Sequence, residues 1–399
     1  MRSGFPPALL ALVLLGLTAG ILAARRQKSL SFLFRWLPVP FYCYFLPTCL
    51  AAVGLLPAES ALYGWAARFL LPVCLALLLI NVDLPGLAGL GRPALVAMAW
   101  GVGGILGGMV AAYGLFHPWL PPEAWKSVGA LAGSWTGGSA NLIAVKEALG
   151  APENVFSPVI VVDTVFAYSW MAFLIWLAGR QEIIDRWNRV PAEGLVLKKQ
   201  KEDHRVVRGR PWPWAGVPVT ALALAALSLA FGTLAGPSLS QAVGRLFPSL
   251  GNSLKPATWT VIAVTTASLG AAFSGRFRAA PERTERIGNF LLFFLLTILG
   301  SQASFKALGE APAFLAVGAA ALLVHGAALA VGARWSRLPL SLLATASQAC
   351  VGGVVSAPMV GAVYRPALAA VGLLLAIFGN VVGTYLGLLT AQLCAGLGN

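Results

Sequence analysis

Asp163 is the eighth residue of an apolar run from Phe156 to Gly179, and the one acidic residue deep inside such a run. A carboxylate at that depth costs several kcal/mol unless it is paired or neutralised, so it reads as functional. Two kinds of chemistry suit it: carrying a proton, or holding a coupling cation. Upstream, the apolar stretch Ala124–Gly150 holds Gly133-Ser134-Trp135-Thr136-Gly137-Gly138-Ser139-Ala140-Asn141 at its centre. Exposed glycine costs about 1 kcal/mol against alanine in a helix, and unpaired backbone groups in lipid cost more. Such an interruption is tolerable only where it is buried in protein or lines a wet cavity. There a broken helix aims free N–H groups and carbonyls at a ligand. Ser134, Thr136, Ser139 and Asn141 add neutral donors and acceptors beside Gly137 and Gly138. Trp135 is either a stacking wall or core. The stretch suits an anionic or polar solute, with Na⁺ as a companion.

A second interrupted stretch, Leu338–Val360, keeps the glycine pair as Gly352-Gly353, and its polarity lies at Thr345, Ser347, Gln348 and Ser356. The expected site is therefore asymmetric. Solute would meet Ser134, Trp135, Thr136, Gly137, Gly138, Ser139 and Asn141 from the first stretch. Ser347, Gln348, Gly352, Gly353 and Ser356 would come from the second. The ion would sit at Asp163 and Thr164, with Asn380 and Thr345. His325 reads as a core histidine, Lys146 and Glu147 as a solvated helix end, and Asp83 as interfacial. Gly103, Gly104, Gly107 and Gly108 read as close-packing positions. The five cysteines lack metal-type spacing and lie in apolar runs. No catalytic triad, phosphate loop or metal cluster is legible. A membrane enzyme would need a convergent set, and only Asp163 and His325 are deep enough to join one. Neither an enzyme nor a cofactor is expected, only Na⁺ or H⁺ as coupling ion.

The elements that must position these residues are membrane helices. Of 399 residues, 58% are hydrophobic and 11% charged, against about a quarter charged in soluble domains. The mean hydropathy is +0.80. This is the composition of an all-α polytopic membrane protein. Ten stretches are long enough for a bilayer core of about 30 Å: 7–24, 37–56, 62–80, 93–116, 156–179, 213–236, 256–274, 287–305, 312–333 and 366–393. The first is too long for a signal h-region and its charges follow it, so cleavage is not expected. If both interrupted stretches enter and leave on one side as hairpins, most of the 28 Lys and Arg fall on one face. The positive-inside rule therefore favours hairpins, with both termini outside; broken helices that cross remain the alternative. The nine basic and five acidic residues of 180–214 suit a cytoplasmic linker facing anionic lipid, not nucleic acid.

That linker separates two similar halves. Arg68-Phe69-Leu70-Leu71 recurs as Asn289-Phe290-Leu291-Leu292, and Asn81 and Asp83 meet Gln302 and Ser304. Gly137-Gly138 recurs as Gly352-Gly353, and Asp163 and Tyr168 as Asn380 and Tyr385. Each half holds five spans and one glycine-broken hairpin. Five is odd, so the halves insert upside down to each other, the organisation of secondary transporters. The expected division is a first repeat over 1–180, a polar linker over 181–212 and a second repeat over 213–399. A scaffold would come from 7–56 and 213–274, with a homodimer contact there, and a core from 62–179 and 287–393.

Gly133–Asn141, followed by Val162-Asp163-Thr164, resembles the signature of a bacterial and plastid membrane family called domain of unknown function 819. The resemblance covers most of the chain. It implies kinship with the cation:proton antiporter and anion-transporter superfamily, whose core domain moves as an elevator against a scaffold. It implies no substrate. The reading that follows is an inner-membrane secondary transporter for a small polar or anionic organic solute, coupled to Na⁺ or H⁺. The alternative is a Na⁺/H⁺-type antiporter with no organic substrate. A non-transporting receptor is the remaining class.

Overall fold

The computed structural model describes residues 6–30, 33–36, 39–57, 59–80, 82, 90–191, 216–246, 255–273, 281–302 and 311–397. The expectations for Asn81, Asp83 and Ser304, and for the linker beyond 191, lie outside them. The described chain is helical, with nine helices long and apolar enough to cross a membrane. In chain order the helices are α1 (Pro7–Arg26), α2 (Val39–Ala52), α3 (Ala61–Leu79), α4 (Arg92–Phe116), α5 (Ala124–Gly137), α6 (Ser139–Leu149), α7 (Glu153–Leu177) and α8 (Gln181–Trp187). There follow α9 (Gly216–Leu234), α10 (Gly236–Leu246), α11 (Pro256–Phe273), α12 (Pro281–Gln302), α13 (Ala311–Ser336), α14 (Leu340–Val351), α15 (Gly353–Tyr364) and α16 (Leu368–Ala395). Proline occupies the first turn of α1 and α4, where its missing N–H has no partner to lose.

One expected span is corrected. Within 37–56 the described helix runs only from Val39 to Ala52, about 21 Å at 1.5 Å per residue, against about 30 Å of hydrocarbon. Gly54, at φ 79°, turns the chain just beyond it. One face of the helix packs against α12, burying Val39, Cys43, Tyr44, Pro47 and Thr48. Thr48 Oγ1 donates to the Gly300 carbonyl at 2.9 Å, and a Cβ at Gly300 would run into the Tyr44 carbonyl.

The helices pack as two groups. In one, α2 lies along α12, α9 along α11, and α3 touches α9, α11 and α12. In the other, α4 lies along α13, and α5 and α15 along α16, with α7 and α14 completing it. The spans at 61–79 and 281–302 thus pack with the first group. Between the groups, Thr258 Oγ1 of α11 donates to the Ala148 carbonyl at 2.6 Å, and Tyr44 of α2 hydrogen-bonds Ser157 of α7 at 2.8 Å.

Glycine permits the closest approaches. Gly129, Gly133 and Gly137 on α5 face Gly379, Gly383 and Gly387 on α16, each set spaced by four residues and so on one helix face. A Cβ at Gly387 would stand 2.8 Å from the Gly129 carbonyl oxygen, and one at Gly137 would stand 2.7 Å from the Gly379 oxygen. The two backbones touch along this seam. On α4 the close-packing expectation holds for half its residues. Gly104 and Gly108 meet α13 at Ala328, His325 and Ala321, whereas Gly103 and Gly107 have nothing within 4 Å.

Candidate functional site

Both interrupted stretches fold back on themselves. A Cβ at Gly133 on α5 would lie 3.2 Å from Val145 Cγ2 and 3.4 Å from the Asn141 carbonyl on α6. In a continuous helix residues 133 and 145 would be about 18 Å apart, so α5 and α6 are antiparallel arms. Gly138, at φ 79° and ψ −178°, forms the tip. An L side chain is strained there, which explains the glycine. In the second stretch Gln348 Nε2 on α14 donates to Ser356 Oγ on α15 at 2.9 Å. Thr345 and Ala357, from opposite arms, both meet Gly372 of α16. Gly353, at φ 74°, carries that tip. In each glycine pair the first residue lies against neighbouring groups and the second turns the chain.

The hairpins meet, α5 touching both α14 and α15, and α7 runs beside them. Ser134 Oγ donates to Asp163 Oδ1 at 2.9 Å. Trp135 lies beside the same carboxylate, but its indole nitrogen is buried with no closed hydrogen bond among the described residues. One turn along α7, the Ala167 carbonyl accepts from Gln348 Nε2 at 3.4 Å. Asp163 is half-buried, as are Gly138, Ser139, Gly352, Ser356 and Asn380. Ser134 ties Asp163 to the first hairpin, and a Cβ at Gly138 would lie 3.7 Å from Asn380 Oδ1, so the first tip faces both polar groups.

The family model described as protein of unknown function (DUF819) matches residues 12–397. The chain belongs to the DUF819 family. No curated protein matches it.

Several expected site residues of this DUF819 protein hold the hairpins in place. Asn141 is buried, with its Nδ2 donating to the Gly137 carbonyl at 2.6 Å and to the Asn380 carbonyl at 3.4 Å. Its Oδ1 accepts from Thr384 of α16. The residue locks the first tip to α16. The hydroxyls of Thr136, Thr164 and Thr345 all donate to carbonyls of their own helices, at Ala132, Ile160 and Ser341. Ser347 lies elsewhere. Its hydroxyl oxygen accepts from Trp170 Nε1 at 2.8 Å and faces His325 Nε2 at 2.8 Å, while His325 Nδ1 faces the Gly101 carbonyl at 2.9 Å. A carbonyl only accepts, so Nδ1 carries the proton and Ser347 donates to Nε2. This network ties α4, α7, α13 and α14 together about 10 Å along α7 from Asp163. It confirms His325 as a buried core histidine and supplies a polar partner that its sequence neighbours did not suggest.

The expectation of a solvated end at Lys146 is corrected. Lys146 is 6% exposed, with Nζ 2.7 Å from Glu147 Oε1 and 2.6 Å from Glu153 Oε1. Tyr44 of α2 reaches Glu153 Oε2 at 3.4 Å and the Phe156 ring edge-on. Lys146 meets Glu153 and Phe156 of α7, Tyr44 of α2 closes on Glu153, and α11 packs on the same arm, so this charge cluster is roofed by protein. The position at the close of the hairpin suggests water, but two carboxylates stand in for it. Among the described residues no group of three His, Cys, Asp or Glu could hold a metal ion.

Proposed function

We propose that the protein is a secondary active transporter of the inner membrane, with Asp163 as its coupling group and the two hairpin tips as its solute site. The carrying observation is the position of α7. It presents Asp163 to Ser134 of the first hairpin and, one turn on, the Ala167 carbonyl to Gln348 of the second. A change at the carboxylate, whether protonation or cation binding, acts directly on Ser134 of the first hairpin, and a shift of α7 would carry it to Gln348 of the second. The neutral hydroxyls and amide near it suit a small polar or anionic organic solute.

The reading rests on two inverted repeats, and the packing supports it. The hairpin of the first half lies along α16 of the second, and the hairpin of the second half is held by Trp170 and Ala167 on α7 of the first. Alternating access by an elevator motion is supported by an inequality between the hairpins. The returning arm α6 is covered by α11. Its counterpart α15 leaves Val355, Met359 and Val363 at 73%, 54% and 51% exposure. Two copies of one unit in unlike surroundings are what a transporter caught at one end of its cycle requires. We assign the scaffold to α1–α3 and α9–α12 and the core to α4–α7 and α13–α16, which moves 62–80 and 287–305 from the core, where the sequence placed them, to the scaffold.

Flux into proteoliposomes tests this. A Na⁺ or pH gradient should drive uptake of a polar or anionic solute by the wild type and not by Asp163→Asn. If a Na⁺ or pH gradient drives counter-flux of the other ion with no solute present, the protein is instead a cation:proton antiporter.

A further inference from the structure

An apolar crevice of about 420 Å³ lies away from the hairpin tips, between α7, α8, α13 and α14. It follows α13 from Leu322 to Ala333, about 16 Å. It exists because α13 presents Gly326, Ala327, Ala330 and Ala333 where its neighbours offer large side chains. At its deep end stands Ser347, the residue that ties the second hairpin to Trp170 and His325.

Two independent features of the mouth identify what would fill it. The first is charge. Arg334 stands one turn beyond the lining residue Ala330 of α13 and Arg337 just past the end of that helix, and the lining positions of α7 and α8 are flanked by Arg180, Arg186 and Arg189. Of the two nearby acids, Asp185 is occupied, its oxygens accepting from the Leu340 N–H at 2.7 Å and from Gln181 at 3.1 Å. Exposed Trp187 lines the mouth, and exposed Trp176 stacks on the lining residue Phe173 with Arg180 3.6 Å over its ring. Tryptophan with arginine marks the level of lipid headgroups. The second feature is Asn188, a lining residue that is 1% exposed. Its Nδ2 donates to the Leu338 carbonyl at 3.0 Å, which fixes the amide's orientation. Its Oδ1 is then a buried acceptor with no donor among the described residues, an arrangement that is costly unless something fills it.

We infer that the crevice is a binding site for an anionic phospholipid with a hydroxyl-bearing headgroup. One acyl chain enters the cavity toward Ser347. The phosphate lies among the arginines, and a headgroup hydroxyl donates to Asn188 Oδ1. Because α8 clamps the base of the second hairpin through Asp185 and Asn188, the lipid steadies that hairpin.

The test uses the full-length protein delipidated in detergent, read by native mass spectrometry and thermal unfolding. Phosphatidylglycerol should bind and raise the melting temperature by several degrees, more than phosphatidylcholine of the same chains. Phosphatidylmethanol, equally charged but without headgroup hydroxyls, should bind more weakly. Arg334→Gln with Arg337→Gln should weaken phosphatidylglycerol by about 30-fold, from the attraction of two basic residues to an anionic surface. Ala330→Trp should abolish the bound lipid by filling the crevice; should that variant not fold, the arginine pair decides. Equal binding of phosphatidylglycerol and phosphatidylcholine, or an undiminished response in the arginine variant, overturns the proposal. Equal binding of phosphatidylmethanol removes Asn188 from it. Stabilisation by soluble glycerol 3-phosphate alone would make the mouth an anion site and not a lipid site.

Discussion

Replacing Gly387 by alanine tests whether the first hairpin is held by backbone contact. The added Cβ would stand 2.8 Å from the Gly129 carbonyl oxygen and from Val145 Cγ2, and 2.9 Å from Gly133 Cα. Ordinary contact begins at 3.4 Å, so both arms of the hairpin must retreat by about 0.6 Å, a forced overpacking that costs about 1–3 kcal/mol. Alanine is also the better helix former by about 1 kcal/mol, which would mask part of the loss. Gly103→Ala is the control, because that position is equally interior to a helix and has nothing within 4 Å. The difference between the two variants cancels the propensity gain and leaves the seam. At about 2 °C per kcal/mol, Gly387→Ala should melt about 2–6 °C below Gly103→Ala in fluorescence-detected unfolding of detergent-solubilised protein. Equal melting temperatures would refute the claim that α5 and α16 meet backbone to backbone.

Further outcomes follow from single contacts. Asp163→Asn should leave the fold intact and abolish any Na⁺- or pH-dependent change in thermal stability; an unchanged response removes Asp163 from coupling. Lys146→Met leaves Glu153 charged and buried, which should cost about 3–5 kcal/mol. The double variant with Glu153→Gln should recover part of that loss, and strict additivity in denaturation would show the two residues to be uncoupled. Ser347→Ala leaves the Trp170 N–H and His325 Nε2 without their partner, at about 1–3 kcal/mol for each buried group. It should lower the melting temperature more than Ser139→Ala, whose hydroxyl is half-buried at the first tip.

The membrane class, most of the spans and both hairpins were legible in the sequence, because they depend on composition, apolar run length and the side to which charge falls. What the sequence left hidden is how helices distant along the chain meet. The run 37–56 is apolar enough to span, but apolarity does not tell which face meets protein, and one face of α2 packs against α12. Lys146 looked solvated because Glu153, six residues beyond Glu147, belongs to the next helix. Ser347 looked like a ligand group because a hydroxyl in an apolar run lacks local partners; its partners lie 177 residues back and 22 residues back. The seam did have a signal. Gly129, Gly133 and Gly137 share a spacing of four with Gly379, Gly383 and Gly387, and such spacing marks close helix pairs in membranes.

Packing and turn geometry are separate demands on the central glycines, and adjacent residues meet each. Gly137 must be glycine since the Gly379 carbonyl lies where its side chain would be, and Gly138 must be glycine since its φ is positive. Gly352 is crossed by the Gln348–Ser356 hydrogen bond, and Gly353 carries the positive φ. Alanine at Gly137 would push the first tip off α16, and alanine at Gly352 would break the hydrogen bond between the arms of the second hairpin. At the second glycine of either pair it would strain the turn and leave the support untouched. The two kinds of variant therefore separate anchoring of a hairpin from the shape of its tip, and a solute held at the tips would sense the second kind without the first.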